Sequence, residues 1–286
     1  VERAVELGDL VKMLQSIRVD IDKDDDEIEE ETACMRLAIL LRTCMQNHDS
    51  PAFALVHDKL GGEENRLTTH LLDPGMVSES LLDECRGAIV MSGTLFPPQM
   101  YYDLLKVPKA RVSIVKEYTS HFLTERRPVL IAKDVTSRYA ERGEENTARI
   151  REHIHSVLRQ TPGHVAVFAP SYAMLEQIVL EDEDWIVRSR QLLEERAGAS
   201  KEQMDRMVDK LHQLRRTKTP ALLAGVLGGK LAEGVDYPEN ILDAVICIGL
   251  PLPPPSARQD ALRDYYEDAY DSVRAWRYAS SQPAVN

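Results

Sequence analysis

Residues 221–248 read ALLAGVLGGKLAEGVDYPENILDAVICI, and they set the fold class. Ala221 to Val226 is an unbroken run of small and apolar residues. Such a run reads as a strand covered on both faces, as in a parallel sheet. Three glycines follow within eight positions (Gly228, Gly229 and Gly234), with Lys230, Glu233 and Asp236 among them. Ala244 to Ile248 is a second apolar run and a second strand. The pattern on either side repeats this alternation. Upstream lie a helix over 201–215, a strand at Trp185–Val187, a helix from Ser171 to Leu180 and a strand from His164 to Ala169. Before the Thr161-Pro162-Gly163 turn, Glu144–Gln160 carries Ile150, Ile154, Val157 and Leu158 on one helical face. A strand is expected at Pro128–Ala132 and a helix over about 257–275. Strand and helix in alternation predict an α/β fold, a parallel sheet flanked by helices.

The first hundred residues have a different texture. Residues 5–18 and the stretch carrying Cys34, Leu37, Leu41 and Cys44 have helical spacing, and the acidic run Asp20–Glu31 between them reads as a solvated loop. AFALVHDKLGG (52–62) and Leu67–Leu72 read as strands, and Val77–Cys85 as a helix. Ala88-Ile89-Val90-Met91 reads as a buried strand that stops at Ser92-Gly93-Thr94.

Composition narrows the function classes. The 286 residues carry a net charge of −12, which argues against a general polyanion binder. The acidity is concentrated: residues 1–80 hold 8 Lys/Arg against 18 Asp/Glu, a net of −10. The remainder is near neutral and has room for a basic groove. No run of 18 apolar residues offers a membrane span. The four cysteines (Cys34, Cys44, Cys85, Cys247) form no CxxC, so neither a disulfide scaffold nor a standard zinc spacing is expected. HExxH and GxSxG are absent.

Three loops carry chemistry. Ser92-Gly93-Thr94 offers main-chain N–H groups and two short hydroxyls at the end of a strand, where open α/β sheets bind ligands. Phe168-Ala169-Pro170-Ser171-Tyr172 passes from strand to helix, and Ser171 suits an N-cap or a phosphate contact. The Gly228–Pro238 loop is the richest: glycines for close backbone approach, the Lys230 charge, and the acceptors Glu233 and Asp236. It is not a P-loop. GxxxxGK(S/T) needs four residues between its glycines and a hydroxyl after lysine, whereas Gly225 and Gly229 enclose three and Leu231 follows. Arg126-Arg127, Arg188/Arg190 and Arg215-Arg216-Thr217-Lys218 are basic clusters within reach of phosphates or of water.

In order along the chain, AIVMSGTLFPPQMYYDLL, GHVAVFAPSYAMLEQIV and the stretch from Leu222 through GGKLAEGVDYPEN to Tyr266 resemble the third, fourth and fifth motifs of XPD-type superfamily 2 DNA helicases. Phe96, Ala169 and Tyr237 depart mildly from that pattern. The resemblance covers about 67–286, and the archaeal branch looks nearest from RYASSQPAVN at the end. It implies RecA-like motor lobes: residues 1–51 as the helical end of an Arch-type insertion, 52–108 as the last part of motor domain 1, and 109–286 as most of motor domain 2. It implies an ATP-dependent, 5′-to-3′ helicase on single-stranded DNA in repair, with ATP and Mg2+ between the lobes. Ser92, Gly93, Thr94, Gly234 and Asp236 would couple nucleotide state to the motor. Ser171, Tyr172, Gly229, Lys230 and Glu233 would meet DNA.

The Walker A lysine, the DEAH box, the four cysteines of the family's four-iron–four-sulfur cluster and the sixth motif are absent from this sequence. The chain therefore reads as a C-terminal fragment, inactive alone, whose partners are single-stranded DNA, the rest of motor domain 1, the cluster domain and repair-complex proteins, with no membrane. Localisation would be cytoplasmic at the nucleoid in an archaeon and nuclear in a eukaryote. Two alternatives remain: a DinG-like helicase, and a non-catalytic RecA-like interaction module.

Overall fold

The computed structural model describes residues 2–17, 32–61, 64–119, 123–126, 128–182, 185–186 and 188–284. The acidic run Asp20–Glu31 lies outside them, as does Arg127. The chain divides into two units, one of Val1–Tyr118 with Pro253–Ala284 and one of Thr119–Leu252.

The first unit begins with two helices, α1 (Glu2–Ser16) and α2 (Ala33–Asn47). Thr32 caps α2, its hydroxyl accepting the Met35 N–H at 3.2 Å. Val11 and Leu14 of α1 pack on Ala38, flanked by Cys34, Leu41 and Met45. The expected face is thus centred on Ala38, and Leu37 is exposed. β1 (Phe53–Gly61) and β2 (Glu64–Leu71) form an antiparallel hairpin with Phe53 opposite Leu71. α3 (Gly75–Glu84) and α4 (Pro98–Leu104) follow.

Ala88–Met91, expected as a buried strand, is not one. Its backbone pairs with no strand among the described residues, and Ile89 and Met91 are 89% and 85% exposed. A strand exists only through hydrogen bonds to a neighbour, so apolar composition alone cannot make one. Pro128–Ala132 fails as a strand in the second unit for the same reason.

The second unit is built on a parallel sheet. α5 (Glu144–Gln160) leads into β3 (His164–Ala169) and α6 (Tyr172–Ile178); β4 (Gln191–Glu194), α7 (Lys201–Arg216), β5 (Ala221–Val226), the one-turn α8 (Lys230–Glu233) and β6 (Leu242–Cys247) complete it. The strand order is β4-β5-β3-β6, all parallel. Every residue of β3 and β5 is buried. On one face Val165, Val167, Leu222 and Ala224 meet Ile150, Ile154 and Leu158 of α5 and Leu175 and Ile178 of α6. On the other, Ala166, Phe168 and Leu223 meet Met204, Leu211 and Leu214 of α7. Each such Val, Leu, Ile, Phe or Met side chain stabilises the fold by about 1.5–3 kcal/mol over its exposed state. The expected strand at Trp185–Val187 is also corrected: Trp185 and Ile186 are helical, and the strand falls at Gln191–Glu194. A short apolar triplet does not distinguish the two conformations.

His164 is fully buried at the start of β3. Its Nδ1 accepts the Ala221 N–H at 3.0 Å, so Nε2 carries the proton and donates to the Leu211 carbonyl at 3.0 Å. Burial lowers its pKa; of the charges around it, Arg215 and Arg190 act with burial, while Asp243 and the Leu211 carbonyl oppose it. The unfolded chain therefore takes up this proton first as pH falls. Stability is whole above about pH 6.5 and declines below it, by at most ~1.4 kcal/mol per pH unit. Urea midpoints at pH 7.5 and 5.5 check this: His164→Gln should be less stable at pH 7.5 and show a smaller acid loss than the parent.

The chain returns to the first unit with α9 (Ala257–Ala269) and α10 (Ser272–Trp276). The single expected helix is broken because Asp271 caps a new one, accepting the Arg274 N–H at 2.9 Å. Tyr266, Ala275 and Tyr278 pack on Met100 of α4. The buried Asp73 carboxylate accepts from Lys106, from the Tyr265 hydroxyl at 2.7 Å and from the Gly75 N–H at 2.8 Å. Burial opposes its ionisation, but these donors outweigh burial and hold its pKa below the usual value.

Candidate functional site

In the second unit the carboxyl ends of β3, β4 and β5 open into three loops. Beyond β3, Ser171 takes an extended backbone and its Oγ accepts the Met174 N–H at 3.3 Å, capping α6. The next residue, Tyr172, has an exposed ring, yet its hydroxyl donates to Glu195 Oε1 at 3.4 Å. Burial of the phenol and the Glu195 charge both raise its pKa.

Beyond β5 the chain turns sharply. The Leu227 N–H donates to the Ala169 carbonyl at 2.8 Å, joining this loop to the end of β3. Gly228 has φ +75, a left-handed conformation that favours glycine. Gly229 precedes α8 without a side chain to cap it. The cap comes instead from Glu195, just past β4: Oε1 accepts the Lys230 N–H at 3.0 Å and Oε2 the Val226 N–H at 3.3 Å. Lys230 is exposed and its Nζ donates to the Ala199 carbonyl at 2.5 Å. The Gly234 N–H closes α8 onto the Lys230 carbonyl at 2.8 Å. Glu233 and Asp236 are exposed on the same loop. Tyr237 anchors the loop's far side through its hydroxyl to the Leu231 carbonyl at 2.7 Å, and burial with the Glu195 charge pushes its pKa up to about 12.

Ser171, Tyr172, Gly229, Lys230, Glu233, Gly234 and Asp236 thus share one edge of one sheet. Ser92, Gly93 and Thr94 belong to the first unit and are exposed there. The Ser92 hydroxyl accepts the Thr94 N–H at 3.2 Å and lies 3.3 Å from Thr94 Oγ1, a self-contained turn.

Sequence reasoning missed Glu195. In EERA it looks like surface charge, and its one signal is its position at a strand's carboxyl end. The basic clusters also divide. Arg188 is exposed, but Arg190 is buried and spends its guanidinium on main-chain carbonyls. Arg215 is held by the Ile241 carbonyl at 2.9 Å and by Asp243. The cysteines do not fit an iron–sulfur cluster: Cys34 and Cys44 sit ten residues apart on α2, about 15 Å along it. No group of three His, Cys, Asp or Glu among the described residues could hold a metal.

Residues 154–286, which include all three loops of this edge, match the helicase C-terminal domain family. This stretch is similar to helicase C-terminal domains. The chain is similar in sequence to a set of DNA helicases and in fold to XPD helicase structures. It is 27% identical over 196 residues to the ATP-dependent DNA helicase CHL1 of Scheffersomyces stipitis, covering 64% of this chain and 23% of that protein. The Caenorhabditis elegans ATP-dependent DNA helicase chl-1 is 25% identical over 195 residues, with the same two coverages. A Drosophila yakuba regulator of telomere elongation helicase 1 homolog is 28% identical over 213 residues, 69% of this chain and 21% of that protein. The chain spans about a quarter of the length of the curated relatives it matches. Two XPD helicase structures share the fold. One has TM-score 0.54 at 17% identity, covering 100% of this chain and 54% of that one; the other has 0.57 at 18%, covering 99% and 60%. The expected nearness to the archaeal branch finds no support among these fungal and animal relatives. Among the described residues, no helix is long and apolar enough to cross a membrane.

Proposed function

We propose that this chain works within an ATP-dependent DNA helicase that moves on single-stranded DNA in repair, with 5′-to-3′ polarity. The observation that carries the reading is the shared edge: the Ser171-Tyr172 loop and the Gly228–Asp236 loop leave neighbouring strands side by side, joined by the Leu227 N–H to Ala169 carbonyl bond. In this reading the exposed Tyr172 ring stacks on a base and Ser171 shapes the groove beside it. Gly229, Lys230 and Glu233 face the backbone, with Lys230 opposite a phosphate. Gly234 and Asp236, and in the first unit Ser92, Gly93 and Thr94, answer to the nucleotide. Phosphoryl transfer by ATP and Mg2+ is mostly positioning and charge stabilisation; its lysine and acidic box would come from motor domain 1, and any iron–sulfur cluster from the cluster domain. Repair-complex proteins are the proposed partners, and the eukaryotic relatives support a nuclear location.

Anisotropy of labelled single-stranded DNA across a salt series tests this. Affinity should fall steeply with salt, since each phosphate contact on a single strand contributes about −0.7 to the log–log slope. Lys230→Ala should flatten that slope by about 0.7 and weaken low-salt binding by about three- to tenfold. Binding indifferent to salt, or no binding at low salt, rejects the reading.

A further inference from the structure

We propose that Glu195 is a positioning residue: its buried carboxylate fixes the Val226–Lys230 loop and the Tyr172 hydroxyl in one arrangement, presenting loop and ring to single-stranded nucleic acid as a single preset surface. The identity of the ligand rests on the reading above; the positioning rests on geometry.

Glu195 is 2% exposed, although carboxylates seldom lie so deep without a cation. Its partners are the N–H groups of Val226 and Lys230 and the Tyr172 hydroxyl. A buried charge satisfied by a loop's main chain ties that loop to one conformation, because any shift strands the charge without donors. The surrounding sequence is shaped to admit it. A Cβ built on Gly225 would lie 2.8 Å from Glu195 Oε2, and one built on Gly229 would lie 2.8 Å from both oxygens. Gly225 in β5 and Gly229 in the loop therefore both leave room for the carboxylate. Glu195 also supplies the N-cap that Gly229 cannot. Through Tyr172 the same oxygen that caps Lys230 reaches the loop after β3, so one side chain joins both DNA-facing loops.

The test uses the whole chain and compares Glu195→Gln, Tyr172→Phe and the double variant. Glutamine has the same shape but turns an NH2 toward one of two main-chain donors. Two readouts are taken: amide exchange at Val226 and Lys230, and affinity for a fluorescein-labelled oligothymidylate at fixed low salt. Glu195→Gln should speed exchange at those two amides by about tenfold, leave amides within β3 unchanged and weaken oligonucleotide binding by about tenfold. The double variant should bind no more weakly than Glu195→Gln alone. Unchanged exchange in a folded Glu195→Gln overturns the proposal. So does faster exchange with parental affinity, which would make Glu195 merely structural. If Glu195→Gln does not fold, Tyr172→Phe decides, since binding equal to the parent overturns the joining of the loops. Failure of the parent itself to bind overturns the DNA reading instead, and the two amides still report on positioning.

Discussion

Arg190→Ala lowers the stability of the second unit by about 3–5 kcal/mol, read as a fall in the urea midpoint with an unchanged slope. The guanidinium is 6% exposed and donates to the carbonyls of Leu158 at 2.6 Å, Ala221 at 3.5 Å, Thr161 and Gly163. These oxygens end α5, form the turn after it and begin β5, so one side chain closes the whole amino-terminal edge of the sheet. Burial lowers the Arg190 pKa and Asp243 opposes that shift, but an arginine starts so high that it stays charged. Alanine removes every one of these donors and leaves the buried Leu158 and Ala221 carbonyls without this partner. Arg190→Lys should recover less than half of the loss, because a single ammonium cannot fork between four acceptors. A stability within about 0.5 kcal/mol of the parent would show that water replaces the guanidinium freely.

The contrast between Arg190 and Glu195 explains what could be read from the sequence. Ile150, Ile154 and Leu158 announced α5 through spacing, and the unbroken apolar runs of β3 and β5 announced a doubly covered sheet. Ser171 was legible as a cap because the strand ahead of it and the helix behind it were legible. These signals are local. Arg190 and Glu195 are recognised only by what the fold brings to them from 23 to 35 residues away. In the sequence both sit among other charges, in VRSRQLLEERAG, and nothing separates them from their solvated neighbours. The same limit accounts for Ala88–Met91 and Pro128–Ala132, whose composition suits a strand while the described residues give them nothing to pair with. The Ser92–Thr94 turn, by contrast, is held by its own hydroxyls and needs no strand before it.

Stability and the proposed ligand contact lie at opposite ends of the sheet. The strands run from the Arg190–His164–Asp243 corner to the Tyr172–Glu195–Lys230 edge, about 17–20 Å for six residues. Substitutions at the corner should therefore change how much protein is folded without changing the salt slope of DNA binding in the folded fraction, whereas Lys230→Ala should do the reverse.

Gly163→Ala is the sharpest test of that corner, with an expected loss of about 2–3 kcal/mol from one methyl group. The backbone at Gly163 is not left-handed, so the cost is contact alone. A Cβ there would lie 1.8 Å from Asp243 Oδ2 and 2.6 Å from its Cγ. Asp243 cannot yield cheaply. The same Oδ2 accepts the His164 N–H at 2.9 Å and pairs with Arg215 at 3.3 Å, so moving it strands a main-chain donor where β3 begins beside β6. The clash and the donor can be separated by a double-mutant cycle. Asp243→Ala alone should be destabilising, since it too leaves the His164 N–H unpaired. Gly163→Ala added to Asp243→Ala should then cost under about 0.5 kcal/mol, because the methyl group now enters vacated space. Full additivity of the two losses in urea unfolding would mean that the glycine is needed for the turn itself and not for the carboxylate pressed against it.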